Sequence, residues 1–216
     1  MKLIFTLFLC LGFAIGTNAQ SFKNTKDSKY NFKQVQRLSA SPVESQGRTG
    51  TCWSFSALSF LESEIMRIKK SDDPIVLSEM FIVRKAYEEK AKKYVRMDGR
   101  TNFGEGGAFH DIPFVIKNFG IVPRSVYSGL KKRKDVYNHG SMFDRLDSIV
   151  QQANLSGNGI QAEWLAAYNA ELDNGIGVLP TNFKYKGSNY TPRTFYNSLG
   201  IDMNNYVSLT SFTNHK

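Results

Sequence analysis

Cysteine and histidine are scarce in this chain: Cys10 and Cys52 are the two cysteines, and His110, His139 and His215 the three histidines, among 216 residues. So few ligands at such scattered positions give no metal-binding spacing, and no cofactor is expected. The Gly-x-Gly pieces at Gly157 and Gly175 lack a third glycine and a preceding strand, so they read as turns and caps and exclude a dinucleotide fingerprint. Internal repeats and low-complexity tracts are absent. No apolar run reaches the roughly 20 residues of a membrane span.

The longest apolar run, Leu3 to Gly16, follows Lys2 and leads to Thr17-Asn18-Ala19. A charged start, an apolar middle and a small-residue end are the parts of a secretory signal, so cleavage is expected after Ala19 and the mature chain should be exported. Lipidation of Cys10 is the rival, opposed by Leu9 where a small residue is usually wanted. With Cys10 removed, Cys52 has no partner within the chain, and an unpaired thiol in an oxidising compartment calls for a chemical reason. The bland reading is a small buried hydrophobe.

The formal charge is +9, with 28 Lys and Arg against 19 Asp and Glu, and loss of Lys2 would leave 27 against 19, or +8. The densest basic run, Lys131-Lys132-Arg133-Lys134, has no interleaved aromatics and reads as a solvated loop; an exported protein is not expected to meet nucleic acid.

Four parts are expected along the chain: a signal peptide over 1–19, a flexible polar arm over 20–31, a helical lobe over 32–130 and a helical insertion over 131–216. Phe55, Leu58, Leu61, Ile65 and Ile68 recur at spacings of three and four, placing one buried face on a helix from Trp53 to Lys70. Ser78 caps a second helix to about Val95, a third spans Ala108 to Asn118 with Gly120 as its stop, and two more run from Met142 to Asn154 and from Ala162 to Leu172. Asn182 to Tyr190 reads as a hairpin turning at Lys186-Gly187-Ser188-Asn189, Thr191-Pro192 opens a short helix through Leu199, and Tyr206 to Ser211 alternates like a strand.

Cys52 stands at the mouth of the first helix, in the stretch Gln46-Gly47-Arg48-Thr49-Gly50-Thr51-Cys52-Trp53-Ser54-Phe55. Unpaired N–H groups and the dipole of a helix N-terminus favour a thiolate there. Acyl transfer also needs a base and donors for the oxyanion, and the Gln46 side chain can fold back beside the Cys52 N–H to supply a pair of donors. A helix dipole provides only about 0.3–1 kcal/mol, too little to ionise a thiol near neutral pH without a histidinium beside it.

This stretch resembles the active-site loop of papain-like cysteine peptidases, with Gln46, Cys52 and Trp53 at matching places. Leu77-Ser78-Glu79 is similar to the start of that family's second lobe helix, and Gly106-Gly107 and Gly120-Ile121-Val122 follow in order. Thr49, standing where secreted papains carry a disulfide cysteine, brings the likeness nearest to the bleomycin hydrolase and aminopeptidase C branch. Tyr185-Lys186-Gly187, Tyr190-Thr191-Pro192 and Tyr206 to Ser211 resemble the insertion between the lobes of that branch.

The resemblance implies an α+β, papain-like fold, seen mainly as its helical lobe plus the insertion, with the β-rich second lobe missing. It implies a peptide substrate, Cys52 as nucleophile, Gln46 in the oxyanion hole, and Gly106, Gly107 and Trp53 on the substrate side. Without it, Gly106-Gly107 would be a tight turn and Trp53 a core residue. The family's catalytic histidine and asparagine lie in the second lobe, and His110, His139 and His215 match neither. The expectation is the N-terminal part of a longer enzyme, inactive by itself, with amino- or endopeptidase action and assembly into a homo-oligomer left open. Two alternatives remain: a catalytically silent peptide- or protein-binding module, and a transglutaminase-like acyl transferase, which also carries a cysteine-tryptophan pair at a helix start.

Overall fold

Helical periodicity decides most of this architecture, a computed structural model in which residues 26–132, 135–156 and 162–207 are described. The expected signal segment, His215 and the last part of the expected strand lie outside those residues. The chain divides into two units, residues 1–37 and 38–216. In the first, the described residues 26–37 form no helix or strand, and Ser28 donates its hydroxyl to the Tyr30 carbonyl at 2.9 Å.

In the second unit, helix α1 (Cys52–Lys69) buries Leu58, Leu61 and Ile65, while Phe55 is half-buried. Ile68, expected on the same face, is exposed in the last turn, just before Lys70 ends the helix in the left-handed conformation. Helix α2 (Glu79–Arg96) is the centre of the fold, with Met80, Phe81, Ile82, Val83 and Tyr87 buried in succession. Ser78 caps it by accepting from the Phe81 N–H at 3.0 Å, as its residue type predicts.

Helix α3 (Asp111–Phe119) starts three residues later than the pattern suggests, because the Asp111 carboxylate accepts the Ala108 N–H at 2.9 Å and holds the preceding residues in a turn. His110 therefore precedes the helix. Gly120 follows it at φ 79°, with a Cβ position only 2.4 Å from the Pro192 carbonyl group, so no other residue fits without strain.

Helices α4 (Gly140–Leu155) and α5 (Ala162–Ile176) pack on each other and on α2. Gly175 is inside α5 rather than at a cap: a Cβ there would collide with the Met142 side chain, and Gly177, at φ 84°, follows the helix end. Strands β1 (Phe183–Tyr185) and β2 (Ser188–Tyr190) form the only sheet among the described residues, antiparallel with Phe183 opposite Tyr190. Its turn is the two residues Lys186 and Gly187, both at positive φ, so Ser188 and Asn189 already belong to β2.

Helix α6 (Pro192–Ser198) opens with Thr191 and Thr194 in a reciprocal cap and seats Phe195 against Phe183, Tyr185 and Tyr190. Tyr206 and Val207 are not in a strand. They follow a single 3₁₀ turn, Met203–Asn205, and the Tyr206 ring packs edge-on against Phe60 at 6.0 Å. The fold is thus α+β with helices dominant, built around one hydrophobic cluster that runs from α1 and α2 through α4, α5 and α6.

Candidate active site

Cys52 is exposed at the first residue of α1, and neither its thiol nor its N–H is hydrogen-bonded to a described residue. The buried Thr51 precedes it as the helix cap, its carbonyl accepting from the Ser54 N–H at 2.9 Å. The loop before it is closed by a reciprocal pair. Gln46 Nε2 donates to the Thr49 carbonyl at 2.5 Å, and the Thr49 hydroxyl donates to the Gln46 carbonyl at 2.9 Å. One Gln46 N–H is thus committed inside the loop and the second remains for another acceptor.

Gly47 adopts φ 60° where a Cβ would lie 2.5 Å from the Tyr137 carbonyl oxygen. That close approach lets Arg48 join the Tyr137–His139 segment: its N–H donates to the Tyr137 carbonyl at 2.7 Å, and its carbonyl accepts from the His139 N–H at 3.3 Å.

Across from this loop lies the glycine segment. Glu105 fastens the two together, with its carboxylate accepting the Gly50 N–H at 2.6 Å and its carbonyl accepting Trp53 Nε1 at 3.0 Å. Trp53 is a core residue, 7% exposed. Its indole also fills the space above Gly107, where a Cβ would sit 2.6 Å from the ring. At Gly106 a Cβ would meet nothing within 4 Å. The two glycines therefore differ: Gly107 is dictated by packing, while Gly106 keeps an open, exposed surface beside the cysteine-tryptophan pair.

Arg124 ties the entry of the loop to α2, pairing with Glu44 at 2.7 Å and with Glu79 at 3.5 Å, and its guanidinium donates to the Tyr137 hydroxyl at 3.4 Å. The Ser54 hydroxyl donates to the Glu79 carbonyl at 3.0 Å. Burial pushes the Glu79 carboxyl up to about 7 despite the opposing attraction of Arg124. His139 is 2% exposed, and burial holds its imidazole down to about 4, so it is neutral near pH 7. Its Nδ1 faces the Tyr87 hydroxyl at 3.4 Å, and it makes no hydrogen bond to Cys52.

Of the residues singled out from sequence, Cys52, Gln46 and Trp53 are brought into one loop-and-helix unit with Gly106 and Gly107 against it. His110 is exposed and lies 3.8 Å from the Asp111 carboxylate. Glu105 and Arg124 were not legible, since their partners lie 55 and 80 residues earlier in the chain. No group of His, Cys, Asp and Glu side chains suited to a metal ion occurs among the described residues.

The papain family cysteine protease pattern matches residues 27–163, which contain all of this geometry. The chain belongs to the papain family. Its similarity to curated proteins points the same way within that family. It is 26% identical over 203 residues to aminopeptidase C of Lactococcus lactis subsp. cremoris, covering 80% of this chain and 46% of that protein. It is 24% identical over 206 residues to aminopeptidase C of Lactobacillus delbrueckii subsp. lactis, covering 77% and 45%. The crystal structure of PepW from Lactobacillus rhamnosis shares the fold, with a TM-score of 0.58 at 20% identity over 78% of this chain and 45% of that one. This papain-family chain thus spans less than half the length of the curated relatives it matches.

Proposed function

We propose that this chain is the nucleophile-bearing lobe of an exported cysteine peptidase of the aminopeptidase C and bleomycin hydrolase type. The observation that carries the reading is the exposed Cys52 at the first residue of α1, on a loop closed by Gln46 and clasped to Gly106-Gly107 through Glu105 and Trp53. Cys52 Sγ attacks the peptide carbonyl. The Cys52 N–H and the second N–H of Gln46 receive the oxyanion, while the open edge at Gly106 receives the substrate backbone. The amine leaves with a proton, and water then hydrolyses the thioester through a second oxyanion.

The proton shuttle is assigned to a histidine outside this sequence, because the resemblance puts the catalytic histidine in the second lobe, a place that His110, His139 and His215 do not match, and His139 is buried besides. The relatives' greater length supports that assignment. In the full-length protein, Cys52→Ala should bring peptide hydrolysis to background. Activity at the wild-type level in that variant overturns the proposal.

A binding module without catalysis is the second reading, favoured by the lack of a histidine bonded to Cys52 among the described residues. It predicts that full-length wild-type protein binds peptides without cleaving them.

A further inference from the structure

A groove of about 890 Å³ opens beside Gly106 and Gly107, between α2, the glycine segment and the start of α3. One wall is a single face of α2 carrying Lys90, Lys93 and Arg96 at helical spacing, and Phe114 and Val115 of α3 supply apolar lining. Its charges are unevenly committed. Glu89 is held by Lys92 at 2.9 Å, and the Asp111 carboxylate accepts the Ala108 N–H at 2.9 Å and attracts Lys90. Lys90 in turn donates to the Gly106 carbonyl and lies 5.2 Å from the centre of the Trp53 ring.

Lys93 and Arg96 are exposed and pair with no acid among the described residues. Two uncommitted cations beside an apolar lining match a side chain with a methylene stem and a carboxylate end, which an arginine fork can hold bidentately.

We propose that this groove is a subsite for an acidic residue of the peptide substrate, its carboxylate meeting Lys93 and Arg96. The proposal rests on the reading of Gly106-Gly107 as the segment that holds the substrate backbone, because a side chain leaving the backbone there enters the groove.

The test uses the full-length Cys52→Ala protein and two end-capped, fluorescently labelled peptides of equal length, identical except for one Glu or Lys, titrated by fluorescence anisotropy at low salt. The Glu peptide should bind about tenfold tighter, as two ion pairs replace two like-charge contacts. Lys93→Glu with Arg96→Glu should reverse the order, and Lys93→Gln with Arg96→Gln should abolish the preference. Both pairs of substitutions are on exposed positions. Equal affinities, or a preference untouched by the substitutions, would overturn the subsite and leave the backbone-holding segment standing. Failure of both peptides to bind at millimolar concentration would overturn that segment's role as well.

Discussion

At the residue scale, adjacent glycines in the candidate site separate a packed position from an open one. A Cβ at Gly107 must displace the Trp53 indole, an overpacking that costs about 1–3 kcal/mol, whereas a Cβ at Gly106 meets open space and should change stability by less than about 0.5 kcal/mol. Gly107→Ala should therefore lower the urea midpoint. Gly106→Ala should leave it in place while impairing peptide hydrolysis in the full-length protein, and a Gly106→Ala variant as active as wild type would remove this glycine from the substrate surface. The family resemblance implied the substrate side for both glycines, but it could not distinguish them, because the difference lies in which one the Trp53 ring covers. Likewise the type of Gln46 was legible and its aim was not: the Thr49 carbonyl, three residues away, takes one of its two N–H groups.

Glu79 carries a prediction in pH. Its folded carboxyl is raised from 4.5 to about 7 by burial, so the native state keeps a proton that the unfolded state releases. The stability this contributes is complete below about pH 4.5 and is lost as pH rises through 7. Glu79→Gln removes the titration, so its stability relative to wild type should climb between those limits, by at most about 3 kcal/mol. Buried His139 runs the other way: lowered from 6.5 to about 4, it contributes stability that is complete above 6.5 and lost as pH falls toward 4. Urea midpoints of both proteins at pH 4.5, 6 and 7.5 test the assignment. A Gln-minus-wild-type difference that is flat with pH would mean that Arg124 keeps the carboxylate ionised throughout.

At the element scale, what was local was legible. Six helices follow from apolar spacing and caps, and the hairpin from the turn residues Lys186-Gly187-Ser188-Asn189, of which only the first two make the turn. Boundaries failed where a distant or polar contact intervened, as when Asp111 drew the Ala108 N–H and delayed α3. The alternating residues from Tyr206 suggested a strand because alternation alone carries no information about a pairing partner; in the fold Tyr206 serves as a cover for Phe60 and Phe109. Ser78 shows how a cap can do more than its pattern says. Fully buried, it accepts from the Phe81 N–H and donates to the Tyr127 carbonyl at 2.6 Å, joining the start of α2 to the segment after α3. Ser78→Ala should cost about 2 kcal/mol, a lost cap plus a carbonyl left unpaired in the core, with Ser78→Thr costing less if its methyl is accommodated. A loss below 0.5 kcal/mol in urea unfolding would show that the cap contributes little to α2.

At the scale of the whole molecule, the candidate site depends on parts far apart in sequence. The Cys52 loop leans on the Tyr137–His139 segment that leads into α4, and both later helices reach Tyr87 of α2: the Phe143 ring of α4 packs edge-on against its ring, and the Tyr168 hydroxyl of α5 donates to its carbonyl at 3.0 Å. The segment before residue 27 lies outside the family match. Lys2, the apolar run to Gly16 and Thr17-Asn18-Ala19 have the order a signal peptidase needs, and removing them leaves every residue of the candidate site in place. The native protein recovered from its source cells should accordingly begin at Gln20, as read by N-terminal sequencing. Recovery of Met1 or Lys2 at the mature N-terminus would overturn export, and with it the rationale for a lone thiol kept in an oxidising compartment. The peptidase proposal would survive that result, because it depends on the Cys52 loop and its clasp to the glycine segment, neither of which the leader touches in sequence.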